Sequence, residues 1–186
     1  MRRFALSAIG RDRPGIVAAL SGDLVAHGLN LEDSQMSILD GHFTVVLIVA
    51  GPAGLDSDAL RSDLSASARR LELDALSLSE ITSEGEQGDG VPAPGTAPSC
   101  IVTVYGADHP GIVHAVASAL AASAVNITDL QTRLVAERDR GELYAMIVEV
   151  ALPEGFTEGE LEALFDGIRR EQGVEASVRP LEQDVL

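Results

Sequence analysis

The 186-residue chain has no lysine: all thirteen basic residues are arginine, against 29 acidic residues, for a formal net charge of −16. Such a surface repels duplex DNA unless the arginines form a patch, and they are scattered. The only internal basic pairs, Arg69-Arg70 and Arg169-Arg170, fall late in helical patterns, where cations offset the C-terminal helix dipole. Direct nucleic-acid binding is therefore not expected. Cysteine is nearly absent too. Cys100 stands alone, cannot form an internal disulfide, and opens an apolar strand as a core residue would. No run of eighteen apolar residues exists, which excludes a transmembrane helix and a membrane partner. The start, Met1-Arg2-Arg3-Phe4-Ala5-Leu6, has the outline of a signal peptide, but Gly10-Arg11-Asp12-Arg13 interrupts it early. A soluble, cytoplasmic protein is the expectation.

A catalytic constellation is missing as well. His109 and His114 are five apart without an acidic partner at zinc-site spacing, and His27 and His42 are isolated. No serine sits in a nucleophile elbow, and no dinucleotide or phosphate-binding glycine motif occurs. Gly85-Glu86-Gln87-Gly88-Asp89-Gly90 reads as linker rather than phosphate cradle. Neither enzyme activity nor a metal or cofactor is expected.

What the chain does contain is a repeat. Gly10-Arg11-Asp12-Arg13-Pro14-Gly15-Ile16-Val17 returns as Gly106-Ala107-Asp108-His109-Pro110-Gly111-Ile112-Val113, a shared G-x-D-x-P-G-I-V. Twelve of thirty-six positions are identical between 4–39 and 100–135, against roughly two or three from average usage. The duplication divides the chain into domain 1 over 1–82, a Gly/Pro-rich linker over 83–99 expected to be mobile, domain 2 over 100–180, and a tail over 181–186.

Each copy reads strand-helix-hairpin-helix-strand. In the first, strand Phe4–Ile9 leads into a helix carrying Ile16, Val17, Leu20 and Leu24, with Pro14 in its first turn and Gly28 as its cap. Strands 31–39 and 42–49 follow, joined at Asp40-Gly41. The run Phe43–Val49 is apolar enough for a central strand covered on both faces. A helix capped at Asp56 or Ser57 and a strand over 75–82 complete the unit. In the second copy a longer polar loop, 136–141, replaces the tight turn. The fold class is α+β: two ferredoxin-like βαββαβ units, antiparallel four-stranded sheets with both helices on one face.

The repeated junction carries the only site-like chemistry. A chain turning from strand to helix exposes unpaired backbone N–H groups in the positive end of the helix dipole, a place for a carboxylate. Gly15 and Gly111 would allow a ligand close approach. Asp12 and Asp108 can accept a ligand ammonium or merely hold the turn. Asn30 and Asn126 can pair with an amino acid's carboxylate and amine, or serve as left-handed turn residues. Asp33 and Gln35, matched by Asp129 and Gln131, share one strand face.

This turn, followed by helix, Asn and a D-x-Q strand, resembles the ACT domain, and two units in tandem resemble the glycine cleavage system transcriptional regulator family. The resemblance implies an amino-acid site at interfaces between ACT units, carried here by Asp12, Arg13, Pro14, Gly15, Ile16 and Asn30, and by Asp108, His109, Pro110, Gly111, Ile112 and Asn126. It also implies a small amino acid such as glycine or serine as ligand, a regulatory partner protein, and a homodimer. The alternative is an assembly module that dimerises through its sheets without ligand. Formyltetrahydrofolate deformylases carry a similar turn, but their catalytic domain would have to stand where the second copy stands.

Overall fold

The computed structural model describes residues 1–81, 97–137 and 141–181, and the chain divides into two compact units, Met1–Glu86 and Gln87–Leu186. The first contains β1 (Arg2–Arg11), α1 (Ile16–Ala26), β2 (Asn30–Leu39), β3 (His42–Gly51), α2 (Ser57–Arg70) and β4 (Leu73–Ile81). The second repeats it with β5 (Cys100–Ala107), α3 (Ile112–Ala122), β6 (Asn126–Glu137), β7 (Gly141–Ala151), α4 (Glu158–Gln172) and β8 (Glu175–Pro180). Their sheets run β2-β3-β1-β4 and β6-β7-β5-β8, antiparallel throughout. This is the ferredoxin-like topology expected from the order of elements.

Strand alternation decides which side chains meet the helices. In the first unit Phe4, Leu6 and Ala8 of β1 and Phe43, Val45, Leu47 and Val49 of β3 bury against Ile16, Leu20 and Leu24 of α1 and Leu60 and Leu64 of α2. In the second, Val102, Val104, Met146 and Val148 meet Ile112, Val116, Leu120, Leu161 and Phe165. Burying each of the larger side chains, Val, Leu, Ile, Phe and Met, contributes about 1.5–3 kcal/mol. Cys100 is a free thiol inside this second core, and burial pushes its pKa up.

Several expectations need correction. β3 is central, but only one of its faces is covered within its unit: Val46, on the other face, is 49% exposed. An apolar run therefore announced a central strand without announcing a second layer. Pro14 and Pro110 do not open their helices. The following glycines are the N-caps in left-handed conformation, Gly15 at φ 96, ψ −5 and Gly111 at φ 107, ψ −14. Pro-Gly with those angles is the central pair of a type II turn, which holds the proline one residue outside the helix. The loop expected over 136–141 is shorter, because β6 and β7 keep pairing out to Glu137 and Gly141; residues 138–140 lie outside the described residues. So does nearly all of the 83–99 linker, except that Ser99 already pairs with Val150 and Leu181, and so does the tail beyond Leu181. Among the described residues no helix is long and apolar enough to cross a membrane.

Candidate functional site

The four helices of the described residues begin in two different ways. α2 is capped by Asp56, whose carboxylate accepts from the N–H groups of Asp58 and Ala59 at 3.1 and 3.0 Å. α4 has a full capping box: the Glu160 N–H donates to the Thr157 hydroxyl at 3.3 Å while the Thr157 N–H donates to Glu160 Oε2 at 2.7 Å. α1 and α3 have neither a side-chain cap nor an acidic residue in the first turn. Their first helical bonds run from Ala19 to Gly15 and from Ala115 to Gly111, both 2.9 Å. No side chain caps the N–H groups of Ile16, Val17 and Ala18, or of Ile112, Val113 and His114, though the turns over Pro14-Gly15 and Pro110-Gly111 draw one of each set back toward the Arg13 and His109 carbonyls. The other donors lie at the positive end of each dipole.

The two glycines of the repeat have separate duties. Nothing lies within 4 Å of a Cβ built on Gly15 or Gly111, so positive φ rather than crowding demands glycine there. A Cβ on Gly106, by contrast, would meet Val174 Cγ1 at 2.8 Å, and one on Gly10 would meet the Leu73 backbone at 3.0 Å. The first glycine of the motif lets the strand end pack closely against the chain where it enters the unit's last strand.

The loop side chains tie into that same helix end. His109 Nε2 faces the Gln172 carbonyl at 2.9 Å and Nδ1 faces the Pro110 carbonyl at 3.2 Å. Those two acceptors, and to a lesser extent Asp108, raise its pKa. Arg13 pairs instead with Glu72. Both side chains anchor the turn, one to a carboxylate and one to a helix C-terminal carbonyl. Asp12 is held through its backbone, its N–H donating to the Gly41 carbonyl at 2.9 Å. Neither the Asp12 nor the Asp108 carboxylate takes part in a hydrogen bond among the described residues, which leaves both open to a cation.

Asn30 and Asn126 are not the left-handed residues. That role belongs to Gly28 (φ 71) and Ala124 (φ 54). Gly28 N–H bonds Val25 O and Leu29 N–H bonds Leu24 O, each at 2.9 Å; Ala124 and Val125 bond Ala121 and Leu120 in the same pattern, each at 3.0 Å. Both are Schellman caps. The asparagines begin the edge strands, opposite Ala50 and Ala151, with exposed side chains. Asp33 and Gln35 lie opposite Ile48 and Val46, on the sheet face away from the helices, around a shallow cleft.

One residue at the second junction gave no sign in the sequence. A cleft of about 590 Å³ is lined by Asp108, His109, Gly111, Val113, His114 and Tyr144, among others. Tyr144 is only 8% exposed, and its hydroxyl is buried without a hydrogen-bond partner. Burial raises its pKa and the charge of Asp108 adds to the rise. The Thr132 hydroxyl lies near enough to oppose that rise in part, yet outside hydrogen-bonding geometry. An unpaired buried donor of this kind costs about 1–3 kcal/mol. The corresponding position of the first unit is Phe43: it faces Gly10 as Tyr144 faces Gly106.

Two ferredoxin-like units in tandem, each starting its first helix from a Pro-Gly turn with open N–H groups, define a duplicated α+β module. The chain belongs to the ACT domain family, whose model matches residues 2–76 and again 99–178. Over 176 residues it is 26% identical to the glycine cleavage system transcriptional repressor of Escherichia coli, covering 94% of this chain and 88% of that protein. A UPF0237 protein of Methanopyrus kandleri is 35% identical over 77 residues, 41% of this chain and 86% of its own. A crystal structure of an unknown protein from Galdieria sulphuraria superimposes with a TM-score of 0.80 at 27% identity, covering 97% of this chain and 98% of the other. The likeness to the glycine cleavage regulators read from the motif is thus a full-length one.

Proposed function

We propose that the protein is a regulatory sensor of a small amino acid, which docks its carboxylate on the open helix starts and acts through a partner protein. The observation that carries this reading is the contrast in capping. Helices α2 and α4 satisfy first-turn donors with their own side chains, while the two helices that follow the repeated turn have no side-chain cap. Asp12 and Asp108, with unpaired carboxylates beside those donors, complete a zwitterion's requirements: donors for the carboxylate, an acceptor for the ammonium. Asn30 and Asn126 supply further exposed donors and acceptors at the start of each edge strand. The full-length likeness to a transcriptional repressor supports regulation as the outcome, and the charge of −16 favours an indirect route over DNA contact.

A second reading, assembly without a ligand, is favoured by the edge strands. Every residue of β2 is exposed, including Leu31, Met36, Ile38 and Leu39. An unpaired edge with apolar side chains is a template for pairing with another copy. A thermal-shift screen of the full chain against the twenty amino acids separates the two. A ligand at a hundred times its dissociation constant adds about 2.7 kcal/mol to folding stability, so the sensor reading expects a clear rise in Tm with a subset of amino acids. No shift with any of them at millimolar concentration would leave assembly as the function.

A further inference from the structure

We infer that the first unit's sheet packs, by the face turned away from its helices, onto the same face of a second copy of the chain, about a two-fold axis running between β1 and β3. This surface is separate from the exposed edge of β2 and involves no ligand.

Strand register shows what the face is made of. Its middle row across the four strands is Gln35, Val46, Ser7 and Ser77. The rows on either side pass through Ile9 and Ala5, ending at Ser37 and Ala75 and at Asp33 and Ser79. With Thr44 and Ile48 of β3 these make twelve positions, and Asp33 alone among them is charged. It stands on the edge strand, where its Oδ1 accepts from the Ser34 N–H at 2.7 Å. The same twelve positions of the second unit hold five charges: Asp129, Glu149, Arg133, Glu175 and Arg179. A sheet face left to water is polar, and the second unit's face follows that rule. The first unit's does not. Val46 is 49% exposed and Ile9 40% exposed, in a chain whose residues are 23% charged.

Two observations choose a second copy as the occupant. The first is charge. Each chain carries a net −16, so two copies repel wherever their acidic surfaces approach. A face without charge in its interior lets them meet without that repulsion and without desolvating an unpaired ion. The second is relief. β3 raises Val46 and Ile48 above the sheet, while their neighbours on β1 are Ser7 and Ala5; in the third row the order reverses, Ile9 of β1 beside Thr44 of β3. A two-fold between these strands sets each copy's β3 over the other's β1. Val46 then faces Ser7, Ile48 faces Ala5 and Thr44 faces Ile9, a larger side chain over a smaller one in every row, as stacked sheets interdigitate. Each such contact occurs twice, as in any isologous interface. Four strands about 4.8 Å apart, over about seven residues each, cover about 450 Å² on each copy. The contact therefore approaches the roughly 1,000 Å² in total that a specific, reversible interface needs.

The test is sedimentation equilibrium of the full chain at micromolar concentrations, for wild type, Ser7→Asp, Val46→Arg and an equimolar mixture of the two variants. Each variant alone places a charge against an uncharged partner position twice over and should sediment at half the wild-type mass, whatever assembly the β2 edges add. Both side chains are solvent-exposed, so circular dichroism and Tm should stay at wild-type values. Val46→Thr, which keeps the shape and adds no charge, should keep the wild-type mass. The mixture should recover that mass: the new carboxylate faces the new guanidinium at one site, and the unchanged Val46 and Ser7 meet at the other. A monomeric wild type, or variants that keep the wild-type mass, would overturn the inference and leave the face to water or to a different protein. Folded variants of half mass that do not recover on mixing would overturn it too, because some surface other than the same face then covers this one.

Discussion

At His109 both ring nitrogens face carbonyl oxygens, of Gln172 and Pro110, so the imidazolium donates twice and the neutral ring only once. The folded pKa is raised above its ordinary value, about 6.5 in an unstructured chain. A raised pKa means the favourable contribution is complete below about 6.5 and disappears as pH climbs through the folded value. The Tm difference between wild type and His109→Ala should therefore be larger at pH 6 than at pH 8. A difference that is flat or grows with pH would show that the charged ring does not anchor the turn. The two copies of the motif differ at this position, Arg13 against His109, but the sequence could not say where either side chain points; each reaches the end of its unit's second helix. Asp12, Asp108, Gly15 and Gly111 were legible because a repeated motif restricts them. Tyr144 was not, because an aromatic residue alternating in a strand reads as core. Only the register that sets it opposite Gly106, and the missing partner for its hydroxyl, distinguish it from Phe43.

The elements follow closely from local chemistry. Asp40-Gly41 makes a tight hairpin with both residues at positive φ (50 and 76), as its sequence demands. Asp56 and Thr157 cap the helices that follow them. Where tertiary context decided, the sequence misled: it placed a loop over 136–141 where β6 and β7 go on pairing beyond Val135, and a cover on both faces of β3 where no second layer covers Val46 within its unit. The two Schellman caps offer an element-scale test. Gly28 occupies the left-handed position after α1 at no steric cost, whereas Ala124 holds the same place after α3 at φ 54. A Cβ in that region costs about 1–2 kcal/mol, partly offset by the greater freedom glycine gains when unfolded. Ala124→Gly should thus stabilise the second unit by about 0.5–1 kcal/mol, a rise of several degrees for a domain of this size. A fall in Tm by thermal denaturation would mean that Ala124 is retained for packing rather than tolerated in strain.

For the whole molecule, duplication is the governing fact: the same turn, helix start and edge strand occur twice in one chain, on walls that have diverged. Arg13, Phe43 and Met36 of the first unit stand where the second has His109, Tyr144 and Thr132. Under the proposed function, ligand binding biases a partner only by its differential affinity for two arrangements. All of this depends on the uncapped N–H groups being where a ligand's carboxylate sits. The direct measurement is an amide chemical-shift titration of the ¹⁵N-labelled full-length chain with the amino acid that stabilises it most. The largest shifts are expected at Ile112, Val113 and His114, with smaller or absent ones at Ile16, Val17 and Ala18, and both should be lost when the ligand's carboxylate is replaced by its carboxamide. Shifts confined to other parts of the chain, or an equal response to the carboxamide, would contradict that placement of the carboxylate.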